Sequence, residues 1–214
     1  MSQFKQEDEQ WQAFKAWWQK YGTAILSVTL VGVVAWSGWT YWQNQKLSQA
    51  MQGSATFEMV QAQAQQGQLG EVLRDAKRFM QAQPECPYAA AIAFLIGQNH
   101  FDQAEYDQAL SQYDWVVKQT PDASLRLIAH LRASQVYLQQ GAYAKAQSQL
   151  DQVKLTQYGA LQQAQWHLMQ ADIAWAQSQW PKAKQSLEKV LSFPGVPDGV
   201  SKLAQMKLSD LAGV

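Results

Sequence analysis

Between Lys20 and Lys46 the chain carries no charged residue. The apolar centre runs from Thr23 through Ile25, Leu26, Val28, Leu30, Val31, Val33 and Val34 to Ala35. A helix needs about 20 apolar residues to cross a hydrocarbon core about 30 Å thick, and this stretch is long enough. Lipid offers the backbone no hydrogen-bond partners, so a spanning segment of this kind is helical despite its β-branched content. Aromatic residues stand at both ends: Trp17, Trp18 and Tyr21 before the run, and Trp36, Trp39, Tyr41 and Trp42 after it. Rings with one polar edge favour the headgroup region, so these two belts mark the membrane interfaces. A cleaved signal is the weaker reading. Ala35-Trp36-Ser37 is a poor cleavage site, and the apolar run is long for one.

Flanking charge sets the expected orientation. Lys5, Lys15 and Lys20 precede the span, and only Lys46 follows it closely. Positive residues stay in the cytosol and acidic ones count little, so residues 1–20 are expected there, giving a single-pass type II arrangement. The span is placed at 21–44 and a soluble domain at 45–214. Within the arm, Phe4, Trp11, Phe14, Trp18 and Tyr21 fall at spacings of 7, 3, 4 and 3, which is one helix face. That pattern suits a helix lying on the inner leaflet before turning into the span. A docking motif for a cytosolic protein is the alternative.

Beyond the span the sequence reads as helix throughout. Leu47, Ala50, Met51, Ser54, Phe57 and Ala64 form one stripe, and Val72, Leu73, Ala76, Phe79 and Met80 a second. The chain then repeats with a period of 37. Tyr106, Tyr143 and Trp180 are each followed three residues later by Ala109, Ala146 and Ala183. Tyr113, Leu150 and Leu187 come next, and Val116, Val153 and Val190 close each unit. The preceding helices match as well. Gly97, Ser134 and Ala171 occupy one small-residue position, flanked by Phe94, Leu131 and Leu168 before it and Phe101, Leu138 and Trp175 after it. A fixed period of this length built from helix pairs is the mark of a solenoid.

These positions resemble the tetratricopeptide repeat, whose 34-residue unit has a small residue at its eighth position, Ala at its twentieth and Pro at its thirty-second. Gly97, Ala109 and Pro121 fit that spacing. The departures are the period of 37, the missing Pro in copies two and three, and Ser134 and Ala171 in place of Gly. Residues 45–83 read as a degenerate first hairpin and residues 199–211 as a capping helix. The expected fold is therefore all-α: one transmembrane helix followed by a tetratricopeptide-like helical-hairpin solenoid.

Chemistry is hard to find. Lys+Arg and Asp+Glu are both 17, which leaves no basic field for nucleic acid. Cys86 is the only cysteine, so no intramolecular disulfide can form. His130 and His167 share a repeat position, but no Cys or carboxylate stands around them at ligand spacing. No phosphate loop or nucleophile elbow is present. No catalytic residue, cofactor or metal is expected. The first helices of a solenoid line its concave face, and Phe94, Phe101, Leu131, Leu138, Leu168 and Trp175 either line a partner groove there or pack as core. If they are core, Gln98, Gln135 and Asp172, which share one repeat position, mark the groove.

The order of features narrows this further. An acidic start, Trp17-Trp18, Tyr21-Gly22, an apolar span, the box Gly38-Trp39-Thr40-Tyr41-Trp42 and then the repeats resemble the YfgM family, ancillary subunits of the SecYEG translocon in Gram-negative bacteria. The resemblance is strongest over residues 9–45. It implies an inner-membrane protein with a periplasmic repeat domain. The partners it implies are the SecYEG translocon, the membrane-anchored chaperone PpiD and newly translocated polypeptides bound for periplasmic chaperones. The competing reading is a membrane-tethered regulator that sequesters a signalling protein through its arm or its repeats.

Overall fold

Stop signals recur where the helices must turn back. Pro84, Pro121 and Pro197 each precede a helix start, and Pro87 and Pro181 sit in first turns, where the missing N–H costs nothing. The computed structural model describes residues 2–66, 70 and 72–211, with the side chains of 2–10, 12–14, 16, 24 and 25 outside the description. The aromatic stripe of the arm is therefore described only at Trp11, Trp18 and Tyr21; Phe4 and Phe14 lie outside the described side chains. The described residues are helical, without strands: α1 Ser2–Gln65, α2 Leu73–Ala82, α3 Pro87–Asp102, α4 Tyr106–Gln119, α5 Ala123–Gln139, α6 Tyr143–Asp151, α7 Ala160–Ala176, α8 Trp180–Ser192 and α9 Asp198–Leu211. The chain divides into two compact units, Met1–Met51 and Gln52–Val214.

In the first unit α1 holds a segment long and apolar enough to cross a membrane. Val28, Leu30, Val31, Val33 and Val34 are all exposed, as expected of side chains whose solvent is lipid. The turn expected between arm and span is absent, and the helix runs through residues 20 and 21 unbroken. Gly22 does not break it, because the Trp18 indole lies over it and fills the space a side chain would take.

In the second unit each hairpin is closed by its own repeat residues. Ala109, Ala146 and Ala183 are fully buried, as are Leu150 and Leu187, and Tyr113 is nearly so. The end of α1, α2, α3 and α4 share one core that includes Val60, Ala76, Ile92, Ile96 and Tyr113. Leu127, Leu150, Trp166 and Ile173 form a second core, and Ala171, Leu187, Val190 and Ala204 a third under α9. Burying apolar area at about 25 cal/mol per Å² drives this stacking, because no single hairpin can cover its own apolar face.

The hairpin turns also repeat. Ala104, Gly141 and Ser178, 37 apart, have φ of 59°, 70° and 56°. In each turn the next residue's N–H reaches back to a carbonyl five residues earlier: Glu105 to His100, Ala142 to Tyr137, and Gln179 to Ala174. This is the left-handed closure that satisfies the last carbonyls of a helix.

The spacing places Val153 at the end of the second copy's helix, but α6 stops at Asp151 and Val153 lies in the following turn. A 3-10 turn at Leu155–Gln157 then leads into α7. The copies also differ at another position of the 37-residue period, Pro121, Tyr158 and Gly195. Pro121 simply stops the chain before the Asp122 cap, whose carboxylate accepts from the Ser124 and Leu125 N–H groups at 2.7 and 3.2 Å. Tyr158 instead packs into the second core and donates its hydroxyl to the Ala123 carbonyl at 3.1 Å. Gly195 turns with φ of 72°.

Candidate functional site

Successive first helices touch: α3 with α5, α5 with α7, and α7 with α9. The second helices α4 and α6 stand apart, with a cleft between them. The first-helix side is therefore the inner face of the array. Two sets of side chains come from these helices.

The apolar set is half-buried and engaged. Phe94 lies tilted against Tyr113 at 6.2 Å between ring centroids, and Phe101 against Tyr106 at 5.9 Å. Trp175 meets Trp180 edge-on at 5.5 Å. Leu131 and Leu138 pack on the second core and Leu168 on the third. Phe101 and Trp175 thus sit at the closed end of their hairpins, each against the first residue of the next helix.

The polar set faces neighbouring first helices. Gln98 donates to Asp102 at 2.7 Å and accepts from Arg132 of α5 at 3.3 Å. The same Arg132 guanidinium donates to Gln135 at 3.4 Å, so one cation joins two of the three repeat positions. The third, Asp172, pairs with Lys207 of the capping helix, both groups being about one-third exposed. Sequence spacing missed Arg132 and Lys207. Arg132 lies three residues before Gln135, on the same helix face, which is the signal that could have found it.

The histidines have separate surroundings. His130 is buried, with Nδ1 3.1 Å from Gln149 Oε1. His167 lies between Trp166 and Phe193 at 5.0 and 5.8 Å, and its buried Nδ1 lacks a hydrogen-bond partner. Burial pushes its pKa down, a hydrogen bond with Gln170 opposes this, and Lys189 adds to it. His100 instead meets Glu105 at 2.6 Å. Among the described residues no three His, Cys, Asp or Glu side chains gather as metal ligands.

On the membrane segment the aromatic residues cluster by belt. Trp17 lies 6.4 Å from Trp18 and 6.0 Å from Tyr21, and Lys20 stands 5.3 Å from the Tyr21 ring. At the other end Trp39 and Trp42 are 5.7 Å apart, and the Lys46 ammonium sits 3.6 Å from the Trp42 ring centroid. Tyr41 is exposed beside them. Val34, Ala35, Gly38, Trp39 and Trp42 line a shallow groove of about 360 Å³ on the helix surface.

Comparison with known proteins agrees with this architecture. The family described as "Tetratricopeptide repeat-like domain" matches residues 15–213. Three curated relatives carry the name "Ancillary SecYEG translocon subunit". The Haemophilus influenzae protein is 27% identical over 155 residues, covering 72% of this chain and 76% of the relative. The Neisseria gonorrhoeae protein is 25% identical over 152 residues, covering 71% and 73%. The Escherichia coli protein is 25% identical over 154 residues, covering 72% and 74%. No solved structure matches the chain. With its family match covering residues 15–213, the chain belongs to the tetratricopeptide repeat-like domain family and, within it, to the YfgM family.

Proposed function

We propose that this chain is a membrane-anchored, non-enzymatic adaptor that associates with the SecYEG translocon and passes newly translocated polypeptides to periplasmic chaperones. The observation that carries the reading is the shared extent of the match. Three relatives named as ancillary translocon subunits align over about 72% of a chain that joins one apolar helix to a hairpin solenoid. Residues 1–20 form the cytosolic arm, 21–44 the span, and 45–214 the periplasmic domain in the inner membrane. Lys5, Lys15 and Lys20 support that orientation.

Two surfaces suit the role. The groove along Ala35 and Gly38 lets a partner's membrane helix approach closely, since a side chain at Gly38 would meet nothing within 4 Å. The first-helix face, with Gln98, Arg132 and Gln135 in line, supplies hydrogen-bonding groups to an extended polypeptide. The half-buried Phe94, Phe101, Leu131, Leu138, Leu168 and Trp175 support that face from behind. The family resemblance points to PpiD as the receiving chaperone.

Affinity purification of the full chain from membranes is expected to bring down the translocon, and residues 45–214 alone are not. Photo-crosslinkers at positions 98 and 135 are expected to capture exported chains. Translocon preparations that never contain the protein would overturn the association. Crosslinks to a cytosolic signalling protein from the arm alone would favour the regulator instead.

A further inference from the structure

Each first helix bears one stripe that packing leaves open. In α5 the exposed residues are Ile128, Arg132 and Gln139, with Gln135 half-buried among them, at spacings of 4, 3 and 4 that keep to one helix face. The 37-residue period puts Leu95 of α3 and Met169 of α7 level with Arg132, and Met206 of α9 continues the row. These first helices touch in turn. Leu95 is half-buried against the first core and Met169 against the second, while Ile128, one turn before Arg132, is exposed. Arg132 is thus a cation flanked on three sides by Leu95, Met169 and Ile128, with the amides of Gln98 and Gln135 on the fourth.

Its charge is not neutralised within the array. The guanidinium donates to two neutral amide oxygens, at 3.3 and 3.4 Å, and among the described residues it forms no ion pair. The two acids of the same face are engaged elsewhere. Asp102 accepts from Gln98 at 2.7 Å and lies two turns of α3 beyond Leu95, off the row. Asp172 pairs with Lys207.

An unneutralised guanidinium set in an apolar row calls for a carboxylate with apolar side chains on either side of it. Spacing sets how far away those side chains stand. Packed helices lie about 8–10 Å apart. A polyproline II segment turns every third side chain to one face and rises about 3.1 Å per residue, so that face repeats every ~9 Å. Unfolded chains populate this conformation heavily. We propose that the row of Leu95, Arg132 and Met169 takes an extended segment of the pattern apolar-x-x-acid-x-x-apolar, with the carboxylate on Arg132 and the apolar side chains on Leu95 and Met169. The inference rests on the reading of the first-helix face as the polypeptide-binding face, and it adds which segments that face selects.

The test uses the full chain in micelles with isotope-labelled methionine methyls, and the probe acetyl-Leu-Pro-Pro-Glu-Pro-Pro-Leu-amide, which proline holds in the polyproline II form. The probe is expected to shift the Met169 methyl signal saturably. Replacing its Glu by Gln should weaken binding about fivefold, as expected for one partly exposed ion pair. A probe with each Leu two positions from Glu instead of three should also bind more weakly. The Arg132→Gln variant should bind the Glu and Gln probes alike; Arg132 is exposed, and circular dichroism checks that the variant keeps the fold. Equal binding of the Glu and Gln probes by the parent, an unchanged preference in Arg132→Gln, equal binding of the shorter spacing, or no Met169 shift at millimolar probe would each overturn the proposal. Crosslinks to exported chains from positions 98 and 135 without any preference for the Glu probe would sink the selection and leave the adaptor reading standing.

Discussion

A Cβ placed on Gly97 would stand 2.6 Å from Cε1 of Tyr113, closer than two carbon atoms can come. The repeat puts Ser134 and Leu150, then Ala171 and Leu187, at the same pair of positions. Where the second helix offers an aromatic ring, the first helix gives up its side chain altogether; where it offers leucine, a small side chain fits. Ser134 uses that room to donate its hydroxyl to the Ala146 carbonyl at 2.9 Å. Gly97→Ala gains about 1 kcal/mol of helix propensity but overpacks the seam at a cost of about 1–3 kcal/mol. Net destabilisation is expected. In a Tyr113→Leu background the same alanine should fit, so the double variant should be more stable than additivity allows. Urea unfolding of the four proteins in micelles, followed by circular dichroism, measures the coupling.

The three left-handed turn residues give a prediction of opposite sign at neighbouring copies. Ala104 and Ser178 hold φ of 59° and 56° with a Cβ present, whereas Gly141 holds 70° without one. A non-glycine residue pays about 1–2 kcal/mol in this region, partly offset by the greater freedom of glycine when unfolded. Ala104→Gly and Ser178→Gly are each expected to stabilise the domain by about 0.5–1 kcal/mol, and Gly141→Ala to destabilise it by about 1 kcal/mol. Melting temperatures moving the other way at positions 104 and 178 would mean that the turns are held by something other than backbone preference.

His167 makes stability depend on pH. Burial among Trp166, Phe193 and the α7–α8 seam lowers its pKa below the ordinary histidine value. As pH falls through about 6.5 the unfolded chain takes up a proton that the folded chain refuses, so stability falls with it. The loss continues until pH reaches the lower folded value. His167→Phe keeps an aromatic ring in the slot and removes the titration. The stability difference, variant minus parent, should therefore grow in the variant's favour as the buffer is taken from about pH 7.5 to about 5.5. Every other ionisable group is common to both proteins and cancels in the comparison. A difference that stays constant with pH would remove His167 as the source.

The hairpins were legible because the packing seam is local. Ala109, Ala146 and Ala183 lie where a helix must come close, and the period shows through side-chain size alone. The membrane segment was legible because lipid selects on composition, and residues 21–45 without a charge suffice. What escaped the sequence depends on distances between hairpins. Arg132 lies 34 residues from Gln98, and Lys207 lies 35 from Asp172, so neither contact keeps the period that made the rest visible. The early end of α6 escaped for a related reason. Tyr158 stands where the period puts Pro121, and its contact with Ala123, 35 residues away, follows no repeat pattern. The cleft between α4 and α6 is likewise a property of how far two second helices stand apart, which no single helix pattern records.

The span itself can be tested by one substitution whose effect does not come from packing. Val31 is 68% exposed on α1, so a lysine there displaces no neighbour in the protein. The seven Ile, Leu and Val residues from Ile25 to Val34 contribute about −2 to −4 kcal/mol to membrane insertion, and a central lysine costs about 2.5–3.5 kcal/mol. Val31→Lys should therefore cancel most of the apolar gain and shift the chain into the fraction released by alkaline carbonate, while Val31→Leu should stay with the membrane. The helical content of residues 52–211 should be the same in both variants, because the solenoid's cores draw nothing from position 31. Full retention of the lysine variant would mean that contacts with other proteins, rather than transfer of this helix into lipid, hold the chain at the membrane.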